Sequence, residues 1–323
     1  MKLSEGIGHY VLFKRAAGLK YQTEESTLLG FLVLLGDVQL SEVMTQDVLT
    51  FLNSQPSVTF SWRRKYRLLM YFFEYWAVRE AMPTLLMPNP RPKVRQTFVP
   101  HIYSREHIHS LLKATFKSQK RYSCLISPQT FRTLILLLYG TGATVGEALG
   151  LGLTDMDLKT GMLTIHNNRS DRSRRIPICS DLQNAIRGYV AWRSSLQIHC
   201  DRLFVKNDGY ALITTSLIIN FRKLRKIACI TRHDGSKSQP TMQDLRPTFA
   251  VHRITSWIRN GADLNRMLPA LAVYMGHAGL ASTQKYLLMT PERFRRELNK
   301  LSPMPGKERW REDKVLMTFL ASL

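Results

Sequence analysis

Apolar residues recur at intervals of three and four along most of this chain, which is the helical period. The first runs are Ile7, Tyr10, Val11 and Phe13, then Leu28, Phe31, Leu32 and Leu35, then Val48, Phe51 and Leu52. A further run over about 60–79 carries Trp62, Leu68, Leu69, Phe72, Phe73 and Trp76. Helices with one apolar face each predict a bundle over residues 1–82. Residues 83–99 break the pattern: Pro83, Pro88, Pro90 and Pro92 deny a helix and favour extended backbone, which predicts a linker. The helical period returns after Ser104 and Glu106, a start signal followed by apolar positions to Leu112. It returns again over 130–139, where Leu134-Ile-Leu-Leu-Leu138 reads as a buried helix segment.

Gly140-Thr-Gly142 predicts a turn before a short helix with Val145, Ala148 and Leu149 inward. The pattern then changes to a turn at 155–161, a strand ending at Ile165, and a second β-prone run over 174–178. His166-Asn-Asn-Arg-Ser-Asp-Arg-Ser173 is the polar hairpin between them. Helices are expected over 181–195 and 215–230, with Leu203-Phe-Val205 a short apolar run between. Farther on, Asp244 is placed to cap a helix starting near Leu245, with Arg246 in its first turn. Gly276 is expected to end the next helix and set His277 at the head of the following one. Thr290-Pro-Glu292 predicts the start of a last helix, with cap, proline and acid in order. The tail after Pro305 has helical spacing at Val315, Leu316, Phe319, Leu320 and Leu323. The sum is a mostly α chain with a small antiparallel β-sheet (α+β). Its parts are a helical domain over 1–82, a linker over 83–99, a second domain over 100–303 and a tail helix over 304–323.

Length and charge narrow the class. A chain of 323 residues suggests about two domains and a sizeable core. The 46 Lys+Arg against 24 Asp+Glu give a formal charge of +22, the footprint of a polyanion binder. Ribosomal and RNA-binding proteins share that excess, so charge alone does not choose among nucleic-acid partners. Residues 1–50 hold four basic and six acidic residues, whereas 51–100 hold eight and two. The excess there comes from Arg63, Arg64, Lys65 and Arg67 beside the aromatic run, and from Arg91, Lys93 and Arg95 in the linker. The first group reads either as a DNA-gripping face or as an ordinary solvated helix face; the second forms a basic strap suited to lying along a duplex. Cys124, Cys179, Cys200 and Cys229 show no metal-ligand spacing, and reduced thiols in a cytosolic protein are expected. Glu5, His9 and Lys14 interrupt any secretory core, and no stretch is apolar for long enough to span a membrane. No membrane partner is expected.

Gln243-x-x-Arg246, Met275-Gly276-His277 and Tyr286, nine residues beyond His277, resemble the C-terminal half of the tyrosine recombinase (phage integrase) family. That family writes the region as His-x-x-Arg, Leu-Gly-His and a nucleophilic tyrosine. Upstream, the stretch 139–149 resembles the family's first box, with Thr144 where the family has an arginine. The resemblance spans roughly 98–303, and the phrases at 98–105 and Leu268-Pro-Ala-Leu271 further resemble the recombinases found in trio. It implies a core-binding domain and a catalytic domain forming a C-shaped clamp on double-stranded DNA. Copies of the chain or other recombinases would be its partners there, in the cytoplasm on the nucleoid, and no cofactor or metal is implied. By the same resemblance Tyr286 attacks a phosphodiester, Arg246 clamps the phosphate bidentately and His277 donates a hydrogen bond to it. Arg169 stands at the station of the family's lysine, although guanidinium surrenders a proton reluctantly. Arg172 and Arg174 are expected on DNA beside it. Thr144 and Gln243 replace the first arginine and first histidine of the set. Two readings therefore stand: an altered but working site-specific recombinase of a mobile element, or a DNA-binding partner of active recombinases that cleaves little. Tyr274 is expected in the core, and His252 and His166 in packing or surface positions.

Overall fold

The computed structural model describes residues 1–54, 59–79, 85–90, 99–118, 125–167, 172–232, 238–290 and 309–322. The chain divides into two compact units, Met1–Thr97 and a second comprising Phe98–Asn167 and Arg172–Leu323.

The first unit is built from α1 (Leu3–Ala16), α2 (Gln22–Leu35), α3 (Thr45–Asn53) and α4 (Thr59–Arg79). Each contributes its apolar stripe to one core that includes Ile7, Tyr10, Leu28, Phe31, Val48, Trp62, Leu69 and Phe72. The start of the proline-rich segment is tied to this bundle: Leu85 and Met87 pack on the core, and Thr45 Oγ1 donates to the Leu86 carbonyl at 2.6 Å. An extended segment can do this because its backbone polar groups are free to meet side chains.

The second unit carries α5 (Arg105–Ser118), α6 (Pro128–Thr141), α7 (Val145–Gly150), α8 (Ser180–Arg193) and α9 (Thr214–Ile227). They are followed by α10 (Leu245–Arg259), α11 (Leu264–Met275), α12 (Ala281–Leu288) and two tail helices, α13 (Arg309–Glu312) and α14 (Lys314–Ser322). Helix α6 lies in the middle of the core, with Phe131, Leu134, Ile135, Leu137 and Leu138 all buried. It starts where Ser127 Oγ accepts from the Thr130 N–H at 2.9 Å with Pro128 in the first turn, and stops at Gly142, φ 64°. A three-stranded antiparallel sheet, β1 (Met156–Asp157), β2 (Met162–His166) and β3 (Ser173–Pro177), packs against α7 and adds Leu163, Ile165 and Ile176 to the same core. Its register pairs Leu163 with Ile176 and Ile165 with Arg174. Opposed residues share a face, so Arg174 points to the side on which Leu163, Ile165 and Ile176 are buried. In the tail, Leu316 is buried and Val315 exposed; the side chains of Phe319, Leu320 and Leu323 lie outside the described residues, as does the helix expected after Thr290. Among the described residues no helix is long and apolar enough to cross a membrane.

Candidate active site

Tyr103, fully buried, fixes the chain ahead of α10. Its N–H donates to Thr248 Oγ1 at 3.0 Å and its hydroxyl to the Thr241 carbonyl at 2.8 Å. Asp244 departs from its expected role. Its backbone is already helical (φ −70°, ψ −11°), so its side chain does not reach forward to cap α10. The carboxylate instead accepts from the Thr241 N–H (2.7 Å) and hydroxyl (3.0 Å), closing the turn Met242–Asp244. Burial raises the Asp244 pKa above the usual carboxylate value despite those bonds.

Arg246 sits in the first turn of α10, as expected. Its Nη1 donates to the Gly142 carbonyl at 2.6 Å and its Nη2 to the Met275 carbonyl at 2.8 Å. Gly142 follows α6 and Met275 ends α11, where carbonyls lack an intrahelical donor and favour a cation. Glycine is required at 142 on two counts: its positive φ, and a Cβ there would stand 2.5 Å from the Phe249 ring. Burial lowers the Arg246 pKa, while Glu147 and the Tyr286 hydroxyl support its charge.

Helix α11 ends at Gly276, φ 70°, as expected, but His277 does not head the next helix. The C-terminal turn draws its N–H back to the Ala272 carbonyl at 2.9 Å, and α12 starts only at Ala281. His277 Nδ1 lies 2.7 Å from the hydroxyl of the fully buried Thr283. Burial first, then the charges of Arg246 and Arg174, pull the His277 pKa down to about 4, so the ring is neutral at pH 7. Tyr286, half-buried on α12, places its ring centroid 5.9 Å from that of His277.

Thr144 is the N-cap of α7. Its hydroxyl accepts from the Glu147 N–H (3.2 Å) and donates to Glu147 Oε2 (2.9 Å), and its N–H donates to the same oxygen (2.8 Å). Thr144 is thus committed to one half of a capping box. Glu147 Oε1 accepts from Arg174 Nη1 at 2.6 Å, and Oε2 lies 3.9 Å from Arg246 Nη1. Burial works to raise the Glu147 pKa, but hydrogen bonds from Arg174 and Thr144 outweigh it and leave the carboxyl below its usual value. Arg174, expected among the DNA contacts, sits inside this cluster, its Nε donating to the Tyr274 carbonyl at 3.0 Å. The signal that marks it is local: it alternates with Ile176 on β3 and so faces inward. Glu147 and Thr283 are the residues of this cluster that motif reasoning passed over.

Gln243 stands apart, its side chain exposed and without a hydrogen bond among the described residues. It lines a cavity of about 750 Å³ together with Val145, Leu217, Phe221, Arg222 and Arg225. Arg169, Arg91, Lys93 and Arg95 lie outside the described residues, and Arg172 is exposed. In the first unit Arg64 pairs with Glu24 at 2.7 Å, Lys65 lies 4.7 Å from the centre of the Phe51 ring, and Arg67 is exposed. Arg63 keeps one buried nitrogen without a hydrogen-bond partner among the described residues. His252 packs with its ring nitrogen 2.9 Å from the Tyr139 hydroxyl, His166 is exposed and meets Asp155 at 2.7 Å on the surface, and Tyr274 is half-buried against Phe249. Cys179, Cys200 and Cys229 are free thiols, and Cys124 lies outside the described residues. No group of three potential metal ligands occurs among the described residues.

Residues 105–293 match the family described as the phage integrase family. The protein y4rB of Sinorhizobium fredii, provisionally named an integrase/recombinase, is 28% identical over 323 residues, covering 96% of this chain and 98% of that one. Tyrosine recombinase XerC of Listeria welshimeri is 27% identical over 317 residues, covering 94% and 98%. The Tn1549 transposon integrase, solved in complex with transposon right end DNA, aligns with a TM-score of 0.61 at 17% identity over 88% of this chain and 94% of that one. At that identity the likeness to the integrase is one of fold.

Proposed function

The chain belongs to the phage integrase family, and from that premise we propose that it is a tyrosine recombinase that cuts and rejoins double-stranded DNA at specific sites of a mobile element. The observation that carries this reading is the meeting of Arg246, His277 and Tyr286, from three separate elements, around buried Glu147. In the reaction the Tyr286 Oη–phosphorus bond forms as the phosphorus–O5′ bond breaks. The phenol loses its proton and the departing 5′ oxygen gains one. The 3′-phosphotyrosine keeps the bond energy, so a 5′-hydroxyl can reverse the step and rejoin strands. Arg246 spends one N–H of each terminal nitrogen on a carbonyl, which leaves N–H groups of a fixed fork for phosphate oxygens. A neutral His277 whose Nδ1 accepts from Thr283 presents Nε2–H as a further donor. Duplex affinity would come largely from the +22 charge, with the exposed Arg67 on α4 among the contributing cations. Work on paired DNA sites would engage a second copy of the chain or another recombinase, on the nucleoid in the cytoplasm.

A second reading, a DNA-binding partner that cleaves little, is favoured by one feature: Thr144 offers no charge and its hydroxyl is committed to Glu147. A suicide substrate carrying the element end separates the two. Covalent protein–DNA adduct that disappears in Tyr286→Phe supports the recombinase; duplex binding without adduct supports the partner.

A further inference from the structure

Two guanidinium groups share one carboxylate in this site, with Arg174 on Glu147 Oε1 and Arg246 nearer Oε2. The three side chains are only 14%, 16% and 9% exposed for Arg174, Arg246 and Glu147. With His277 neutral, the group carries one net positive charge that is not balanced within it. Burying such a charge is unfavourable unless something completes it. The deficit can be traced to an atom. Arg174 Nε and Nη1 each have an acceptor, but Nη2 is buried with no hydrogen-bond partner among the described residues. The fold also makes room for this side chain: a Cβ at Gly276 would stand 2.6 Å from Arg174 Nη1, so any other residue there would displace it. Gly276 therefore does more than end α11; it admits a second cation beside the one that α10 supplies.

We propose that Arg174 is the second phosphate-binding cation of this site, its Nη2 donating to a non-bridging oxygen of the scissile phosphodiester and supplying from β3 the charge that Thr144 lacks. Nη2 is screened from solvent here, so the contact forms as the phosphate enters and the groups over it shift. Attack by Tyr286 builds negative charge on the non-bridging oxygens. A guanidinium already fixed by Glu147 and the Tyr274 carbonyl meets that charge without reorganising. The identity of the anion rests on the recombinase reading; the binding of an oxyanion by Arg174 does not.

Orthovanadate, a tetrahedral oxyanion that readily becomes five-coordinate, is a suitable probe for the full chain. Calorimetric titration and the side-chain nitrogen resonances of Arg174 are followed in wild type, Arg174→Met, Arg174→Lys and Arg175→Met. Arg175 is exposed on the opposite face of β3. The expected result is one oxyanion per chain, a shift of the Arg174 resonances, and a roughly 10- to 100-fold weaker affinity in Arg174→Met, the scale of a charge-assisted hydrogen bond. Arg174→Lys falls between, and Arg175→Met matches wild type. The resonance shift in wild type needs no variant, so it stands even if Arg174→Met folds poorly. No oxyanion binding, binding that leaves Arg174 unmoved, or full affinity in Arg174→Met overturns the assignment. Duplex binding and adduct formation on the same samples separate the two readings. Oxyanion bound through Arg174 without duplex binding contradicts the recombinase alone. Efficient cleavage by Arg174→Met contradicts the second cation alone.

Discussion

Arg174 and Arg246 in the second unit and Arg63, Arg64, Lys65 and Arg67 on α4 hold similar charge in unlike ways. The first pair is fastened by the Gly142, Tyr274 and Met275 carbonyls and by Glu147. On α4, Arg64 meets Glu24 with 54% of its side chain exposed, Lys65 rests on the Phe51 ring, and Arg67 is exposed. An exposed pair such as Arg64–Glu24 contributes about 0–1 kcal/mol and weakens with salt. Breaking a buried pair on one side costs about 3–5 kcal/mol, because the remaining charge is stranded. Basic residues that look equivalent in a composition thus divide into those whose position matters and those whose number matters.

The sharpest way to break this contrast is Arg246→Ala. It should lower adduct formation by about 10²–10³ or more, the scale of one lost preorganised donor, while duplex binding changes little. Arg67→Ala should do the reverse, and equal effects of the two on adduct would remove the distinction. Next in size is Glu147→Gln, which strands Arg174 and Arg246 together. Urea unfolding should show a loss of about 3 kcal/mol, against less than about 1 for Glu24→Gln on the surface. Thr144→Ala removes the hydroxyl half of the α7 capping box and should cost about 1 kcal/mol in the same measurement.

Salt and pH probe the smaller effects. Neutralising Arg67 should lower the slope of log affinity against log salt by about one unit if it contacts one phosphate, whereas Arg64→Ala should change it less. His277 has a folded pKa of about 4 against an ordinary 6.5, so the unfolded chain binds the extra proton between those values. Stability should therefore fall as pH is lowered from 6.5 toward 4, and His277→Asn should flatten that part of the profile. Adduct yield should show no inflection from this ring between about pH 6 and 8.

Much of this was legible in the chain. The bundle could be read because each helix repeats its apolar face, and α6 because its apolar run over 130–139 is closed by the turn at Gly140-Thr-Gly142. Arg246, His277 and Tyr286 were singled out by the family resemblance, and they lie near one another in the fold. Their surroundings were not legible, because these depend on backbone angles and distant partners. Asp244 has capping chemistry but the wrong φ and ψ, and His277 is drawn into the turn by a bond to Ala272. Thr144-x-x-Glu147 is itself a capping-box pattern, overshadowed by the arginine that a family comparison expects there. Arg174 alternates with Ile176, which marks an inward residue. Its meaning needs Glu147, 27 positions earlier, and a glycine at 276.

One measurement bears most directly on whether this pocket works on DNA: incubation of the chain with a suicide duplex of its element end, followed by mass spectrometry of the trapped protein. The recombinase predicts a nucleotide adduct on the peptide containing Tyr286, present in wild type and missing in Tyr286→Phe. Tight, salt-sensitive duplex binding with no adduct, or an adduct on another residue, would contradict it.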